Sequence, residues 1–219
     1  MKSAELTRGN RRDAKTAGSS RRPEPADRSR ALEWTVIALL TALLLILRLH
    51  QIDGPLDEPH AWRQADTANY ARDFYRHGMN LLQPMVCWQG AAPLLALEFP
   101  IYEWLVAAAY GLIGEHLAIA RLLSLASWLT ATVYLFALVR RVGGEQWARW
   151  AAFVYATVPL GVYFSRAVHI DFATTAAAHA MAYHFLRAID SSERRSGWHA
   201  ALGALFGSFA FAIDRKSVV

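Results

Sequence analysis

The stretch His116-Leu-Ala-Ile-Ala-Arg-Leu-Leu-Ser-Leu-Ala-Ser-Trp-Leu-Thr-Ala-Thr-Val-Tyr-Leu-Phe-Ala-Leu-Val-Arg140-Arg141 reads as a membrane-spanning helix that ends on two arginines. Working outward, residues 147–167, 170–187 and 198–213 read as further spans, with Arg149 near the start of the first, Arg187 at the end of the second and Glu193-Arg194-Arg195 in the loop before the third. Toward the N-terminus, Leu32 to Leu49 is almost wholly apolar, with Glu33 and Arg48 placed to snorkel at its ends. At 1.5 Å per residue it covers roughly 27 Å, close to a bilayer core. Pro100 to Gly114 is apolar but short for a span, and fits a re-entrant or interfacial helix. With the N-terminus inside and this short segment not crossing, Arg140-Arg141 and Arg194-Arg195 both fall on the cytoplasmic side. Were it to cross, both pairs would fall outside. The expected fold class is therefore all-α, a polytopic membrane helix bundle with juxtamembrane helices in an outer loop. The expected spans are about 32–52, 116–139, 147–167, 170–187 and 198–213, with the outer loop at 53–115.

Composition agrees. Of the 219 residues 54% are hydrophobic, and they fall in blocks. The formal net charge is +5, but nine of the 23 Lys and Arg lie in the first thirty residues, so the charge describes a tail and not a basic domain. Beside a span such a tail is a cytoplasmic anchor rather than a nucleic-acid ligand. Residues 1–31 lack apolar periodicity and are expected to be a disordered basic cytoplasmic tail. The basic region is too long for a cleavable signal peptide, and no small-residue cleavage site follows Leu49. The single cysteine, Cys87, excludes an intramolecular disulfide and a Cys-based zinc cluster, and reads as a small apolar loop residue.

Chemistry concentrates in the outer loop. His60-Ala-Trp-Arg63-Gln-Ala-Asp66-Thr67 packs an imidazole, an indole, an Arg, an amide and an Asp into eight residues beside a span, where such groups are costly unless they face water, a partner or a substrate. A helix is expected over 63–76, amphipathic and lying along the bilayer surface, with Gly78 as its stop. Asp66 would sit at its start, favoured by the helix dipole, either as a stabilising charge alone or as a site carboxylate. Asp171 opens a span after Tyr163-Phe-Ser-Arg166-Ala-Val-His169-Ile, either as a cap or as part of an ionisable cluster with Arg166 and His169. Two carboxylates on one face suit acid/base work, and the planar forks of Arg63 and Arg166 match phosphate oxygens. No Gly-rich phosphate loop, zincin helix or Gly-x-Ser-x-Gly elbow occurs. His179 and His184 lie within a span at a spacing that does not share a face, and read as structural. Most tryptophans sit near span ends as interfacial anchors. Trp62 and Trp88, in the outer loop, are the candidates for stacking on a sugar or acceptor.

The order of these features resembles a known superfamily. A basic tail and one span precede His60-x-Trp-Arg-Gln-x-Asp-Thr67, with Tyr70-Ala-Arg72 after it. Then come Asn80-Leu-Leu-Gln-Pro84, Glu98-Phe-Pro-Ile-Tyr-Glu-Trp104, Leu112-Ile-Gly114, Ala120-Arg-Leu122, Arg140-Arg141, and Ser165-Arg166 before Asp171. From about Leu32 to Leu186 the chain is similar to the protein O-mannosyltransferase and lipid A aminoarabinose transferase superfamily. These are membrane glycosyltransferases of the C-type fold that use polyprenyl-phosphate sugars. The resemblance implies catalytic carboxylates at Asp66 and Asp171. It implies substrate contacts from Arg63, His60, Tyr70, Arg166 and His169, with Arg166 near the donor phosphate. Asp57-Glu58 superficially looks like the family's acidic pair, but Asp66 is the better match because Tyr70-Ala71 follows at the family spacing. Thr67 stands where many members carry Glu.

The expected activity is transfer of a hexosyl or pentosyl group from a polyprenyl-phosphate donor to a lipid, glycan or protein acceptor. It would occur at the outer face of a bacterial cytoplasmic (inner) membrane. No metal ligand is assigned, a divalent metal stays an open alternative, and no nucleic acid is expected among the partners. Members usually carry further spans and a soluble C-terminal part, so a truncated and inactive N-terminal fragment is the companion expectation. The alternative class is a transporter or a non-catalytic membrane scaffold. A transporter would place ionisable groups at mid-span and show a repeated half, whereas here charges gather at span ends and no repeat is found.

Overall fold

The computed structural model describes residues 35, 39–56, 61–85, 99–190 and 193–213, the last segment with side chains from 196 onward. The basic tail, His60, Cys87 and Trp88 lie outside the described residues. The chain divides into two compact units, Met1–Ala42 and Leu43–Val219. The described residues of the first are helical. The second holds everything that follows.

The described residues form helices and connecting turns, with no strand among them. Helix α1 is Leu39–Leu49. Then come α2 Ala61–His77, α3 Ile101–Ile113, α4 Leu117–Gly143, α5 Glu145–Thr157, α6 Pro159–Phe164, α7 Asp171–Asp190 and α8 Glu193–Ile213. Among the described residues two helices are long and apolar enough to cross a membrane by length and composition, α4 and the Ser196–Ile213 part of α8. At 1.5 Å per residue α4 extends about 40 Å, more than a bilayer core.

Local chemistry sets the boundaries. Gly78, at φ 126°, and Gly144, at φ 87°, adopt backbone that other residues resist, and each follows a helix end. The stretch 147–167, expected as one span, is two helices. Pro159 has no amide hydrogen to continue α5 and forces Val158 into extended backbone, at ψ 127°. Proline then occupies the first turn of α6, where its missing N–H costs nothing. The short segment after Pro100 forms α3, which at 13 residues measures about 20 Å, too short to cross.

Helix α2 buries Gln64, Thr67, Ala71 and Phe74, one face at the spacing of helical turns, against α3. A core at this end joins Ala71 of α2, Tyr102, Val106 and Tyr110 of α3, Ala120 of α4, Val168 and Ile170 of the α6–α7 turn, and Ile213 of α8. Polar bonds fix its register. The Tyr102 hydroxyl donates to Ala120 O (2.8 Å) and lies 2.7 Å from Ser124 Oγ, and the Ser124 hydroxyl donates to His169 O (3.3 Å). Phe99 N–H donates to Ala212 O (3.2 Å). At the opposite end of α4 and α7, Arg141 Nε donates to Asp190 Oδ2 (3.0 Å).

Arg48 does not snorkel. It is fully buried, and its guanidinium donates to Ser165 Oγ (2.8 Å), Leu44 O (3.1 Å) and Ala156 O (2.7 Å), with the ring of Trp128 4.0 Å away. Ala156 lies in the last turn of α5, whose carbonyls have no intrahelical partner once Pro159 breaks the ladder. A guanidinium supplies the missing donors. Arg121 of α4 does the same for the chain leaving α1. Its Nη1 donates to Gln51 O (2.9 Å), Ile52 O (2.9 Å) and Gly54 O (2.8 Å), and its Nη2 to Pro55 O (3.1 Å).

Glu115, in the α3–α4 turn, clasps α2. Arg72 Nε donates to its Oε1 (2.6 Å) and Arg76 Nη2 to its Oε2 (2.8 Å). Burial pushes this carboxyl up, but hydrogen bonds and charge from Arg76 and Arg72 outweigh that and hold it below the ordinary carboxylate range.

Arg48→Met strands Ala156 O and Ser165 Oγ and is expected to lower unfolding stability in detergent by roughly 3 kcal/mol. An unchanged thermal midpoint would show that the buried guanidinium holds nothing together. Because the folded Glu115 carboxyl is depressed, its contribution is complete above the unfolded value, near 4.3, and disappears as pH falls through the folded one. Wild type is therefore expected to melt above Glu115→Gln at neutral pH, and the two curves to converge in acid. A gap that persisted in acid would contradict the ion pairing.

Candidate functional site

The polar motif at 60–67 divides between two faces of α2. Gln64 and Thr67 point inward. Gln64 is 1% exposed, its Oε1 accepts the Val168 N–H (3.0 Å), and its Nε2 donates to the Tyr163 hydroxyl (3.3 Å). Thr67 Oγ1 donates to Arg63 O (3.1 Å). Asp66, Arg63 and Tyr70 remain half-buried, and Trp62 is exposed, as stacking on a ligand requires. Because α2 begins by Ala61, Asp66 is beyond its first turn, which holds no acidic residue. The helix dipole, which acts over the first turn, therefore does not account for Asp66.

A cleft of about 480 Å³ opens beside it, lined by Asp66, Asn69 and Arg72 of α2, Tyr110 of α3, Glu115, and the apolar Leu56 and Leu117. Asn69 Nδ2 is buried there with no hydrogen-bond partner among the described residues. A carboxylate, an amide donor, a phenol and a guanidinium thus share one hollow. That set can orient a hydroxyl-bearing ligand and take a proton from it.

The second constellation sits on the α6–α7 turn. Asp171 is the first residue of α7, and its Oδ1 lies 3.0 Å from His169 Nδ1. Its carboxylate faces that imidazole, whose Nδ1 also lies 3.4 Å from the Asp171 amide nitrogen. The Asp171 side chain is 54% exposed and that of His169 14%. The Phe164 ring packs edge-on against the His169 imidazole. Arg166 Nη1 donates to His50 O (3.1 Å), covering a carbonyl at the end of α1.

The two constellations share one end of the helical body, because Gln64 bonds directly to the turn that carries Arg166, His169 and Asp171. They do not share one hollow. None of those three residues lines the Asp66 cleft. A second cavity, of about 420 Å³, lies under the turn after α1, where Arg121 is occupied with carbonyls. His179 and His184 lie away from both. His179 Nδ1 is 3.0 Å from Ala131 O, and His184 Nδ1 is 3.0 Å from His199 Nδ1, so both tie helices together. Among the described residues no three His, Cys, Asp or Glu side chains converge as a metal site needs.

Gln64, Arg72 and Glu115 do not stand out as site residues in the sequence. A signal for Gln64 exists: it is the polar member of the face Gln64, Thr67, Ala71 and Phe74. Nothing local marks Glu115, which acts on residues about forty positions earlier.

No curated protein and no solved structure matches the chain. A family model described as dolichyl-phosphate-mannose-protein mannosyltransferase matches residues 94–217. The matched segment holds α3 through α8 with Arg166, His169 and Asp171, while α2 with Arg63, Asp66 and Tyr70 precedes it. It takes in more than half of the chain, which therefore belongs to the dolichyl-phosphate-mannose-protein mannosyltransferase family and is a membrane glycosyltransferase of that type.

Proposed function

We propose that the protein moves a sugar from a polyprenyl-phosphate donor to a lipid, glycan or protein acceptor at the outer face of a bacterial cytoplasmic membrane. In this reading α1, α4, the α5–α6 pair, α7 and α8 cross the bilayer, while α2 and α3 lie at its outer surface. The observation that carries it is the Gln64 bridge to Val168 and Tyr163, which draws the Asp66 helix and the Asp171 turn to the same end of the bundle. The Arg141–Asp190 pair and Arg140 lie at the other end, as a cytoplasmic cluster of arginines should.

The chemistry follows from the groups present. Asp66 takes the proton of an acceptor hydroxyl. The freed oxygen attacks the anomeric carbon of the sugar, the bond from that carbon to the phosphate oxygen breaks, and the polyprenyl phosphate departs with the electron pair. Arg63 and Arg166 hold the phosphate as its charge grows, since a planar guanidinium can meet two of its oxygens at once. Asp171, steadied by His169, positions the sugar or acceptor, and His60 and Tyr70 complete the contacts. The polyprenyl-phosphate sugar is the donor substrate.

Asp66→Asn keeps size but removes the base. In membranes supplied with a polyprenyl-phosphate sugar it is expected to cut the transfer rate by about 10²- to 10⁴-fold. Transfer at the wild-type rate would remove Asp66 from the chemistry. Topology has its own test. On a Cys87→Ser background, cysteines at Trp62 and Asp171 should react with a membrane-impermeant maleimide added outside intact cells, whereas one at Val142 should not. Labelling of Trp62→Cys and Asp171→Cys from opposite sides would separate the two constellations.

A further inference from the structure

Helices α7 and α8 pack along their lengths, and glycines set how closely. A Cβ on Gly203 would come within 3.0 Å of the Phe185 ring, and one on Gly207 within 2.8 Å of Met181 Sδ. Nearer the start of α8 this seam loosens, for a Cβ on Gly197 would meet nothing within 4 Å. Polar groups hold the helix there instead. Ser196 Oγ donates to Ala188 O (2.7 Å), and His199 Nδ1 lies 3.0 Å from His184 Nδ1, with the two imidazoles stacked at 28°. His184 is 7% exposed. Phe206 of α8 stacks on it at 9°, the Tyr183 ring meets it edge-on, and the Tyr134 hydroxyl of α4 lies 3.5 Å from its Nε2. Two Nδ1 atoms this close make a hydrogen bond only when one carries a proton and the other a lone pair. A neutral imidazole can be either partner, whereas an imidazolium can only donate.

We propose that His184 and His199 form a proton-operated latch, which closes the start of α8 on α7 while either imidazole is neutral and opens when both are protonated. Double protonation sets two N–H groups face to face and two positive charges side by side, where burial denies them water. No group facing the pair offsets the second charge. From α4 comes the neutral Tyr134 hydroxyl, while Arg140 and Arg141 stand in the last turn of that helix and Arg141 is bound to Asp190. On α7, Arg187 adds a fixed positive charge at His184. From α8 come His199 itself and the Phe206 ring. The histidine–carboxylate pairs among the described residues, His77–Asp73 and His169–Asp171, lie elsewhere. In the topology proposed above this end of the bundle faces the cytoplasm, so the latch reads the acidity on the side away from Asp66 and Asp171. That placement rests on the proposed function, whereas the closing contact does not.

Amide hydrogen exchange tests this on the whole chain in neutral detergent, at about pH 7.5 and about pH 5.5, with each rate corrected for the intrinsic effect of pH. Free imidazoles take up protons below about 6.5, so excluding one proton from the closed pair should favour opening about tenfold at the lower pH. Residues 197–202 are therefore expected to exchange about tenfold faster in acid, while those beyond Gly203 keep their protection. His199→Asn sets an amide oxygen where Nδ1 stood and takes up no proton, so its exchange should be the same at both pH values. Equal corrected rates in the wild type would overturn the latch. So would acid acceleration that persists in His199→Asn, which would assign the effect to another group, or one spread evenly over α7 and α8. His184→Asn should behave as His199→Asn does, and decides the matter if that variant fails to fold. Protection across α4, read in the same experiment, shows that each variant is folded.

Discussion

The bundle depends on a guanidinium buried where three pieces of chain fall short of donors. Burying Arg48 unsatisfied would cost several kcal/mol, so it persists only because acceptors surround it. Those acceptors exist because the structure is interrupted there. Proline breaks the helix after Thr157 and leaves the carbonyl of Ala156 orphaned, and the turn after α6 presents Ser165. The cation and the break complete each other: each would be a defect alone. Trp128, stacked beneath the guanidinium, extends the tie to α4.

The same device recurs around the end of the body that carries α2 and the α6–α7 turn. Arg121 collects four carbonyls from the chain leaving α1, and Arg166 takes the carbonyl of His50. Helix termini leave carbonyls without partners, and in or beside a membrane water is scarce to serve them. Arginine suits this task because its five N–H groups fan out in one plane and stay charged. The consequence for function is rigidity. The turn bearing His169 and Asp171 is fixed by Arg48 through Ser165, by Ser124 through a backbone carbonyl, and by Gln64 through Val168. A site built on such a turn holds its geometry without a regular element beneath it.

Helix α2 carries the other half of the site on the opposite logic. Its inward face is mostly small or apolar and seals the core with Ala71 and Phe74. Its outward face is charged, with Asp66 and Arg72 opening on one cleft. Amphipathicity thus separates the two stripes: one fastens the helix and the other opens on the cleft. Gln64 and Thr67 belong to the fastening stripe although they sit inside the polar motif. The motif's density of polar side chains is therefore not a measure of how many of them act on substrate.

Much of this was legible in the sequence by itself. Blocks of apolar residues and flanking arginines determine an all-helical membrane protein, because hydrocarbon admits no unpaired backbone. Helical spacing determines α2 and its stop at Gly78, and Pro159 determines a break that the run of apolar residues around it conceals. Periodicity is a property of neighbours along the chain, so it reports helices and their faces. What it does not carry is which distant groups meet. That Arg48 turns inward and does not snorkel is decided by Ala156 and Ser165, more than a hundred residues away. That Asp66 shares a hollow with Glu115, while Asp171 pairs with His169 outside it, is decided by how α2 lies on α3 and on the α6–α7 turn. Those contacts depend on packing and on orphaned carbonyls seeking donors, and these exist only once the helices have come together.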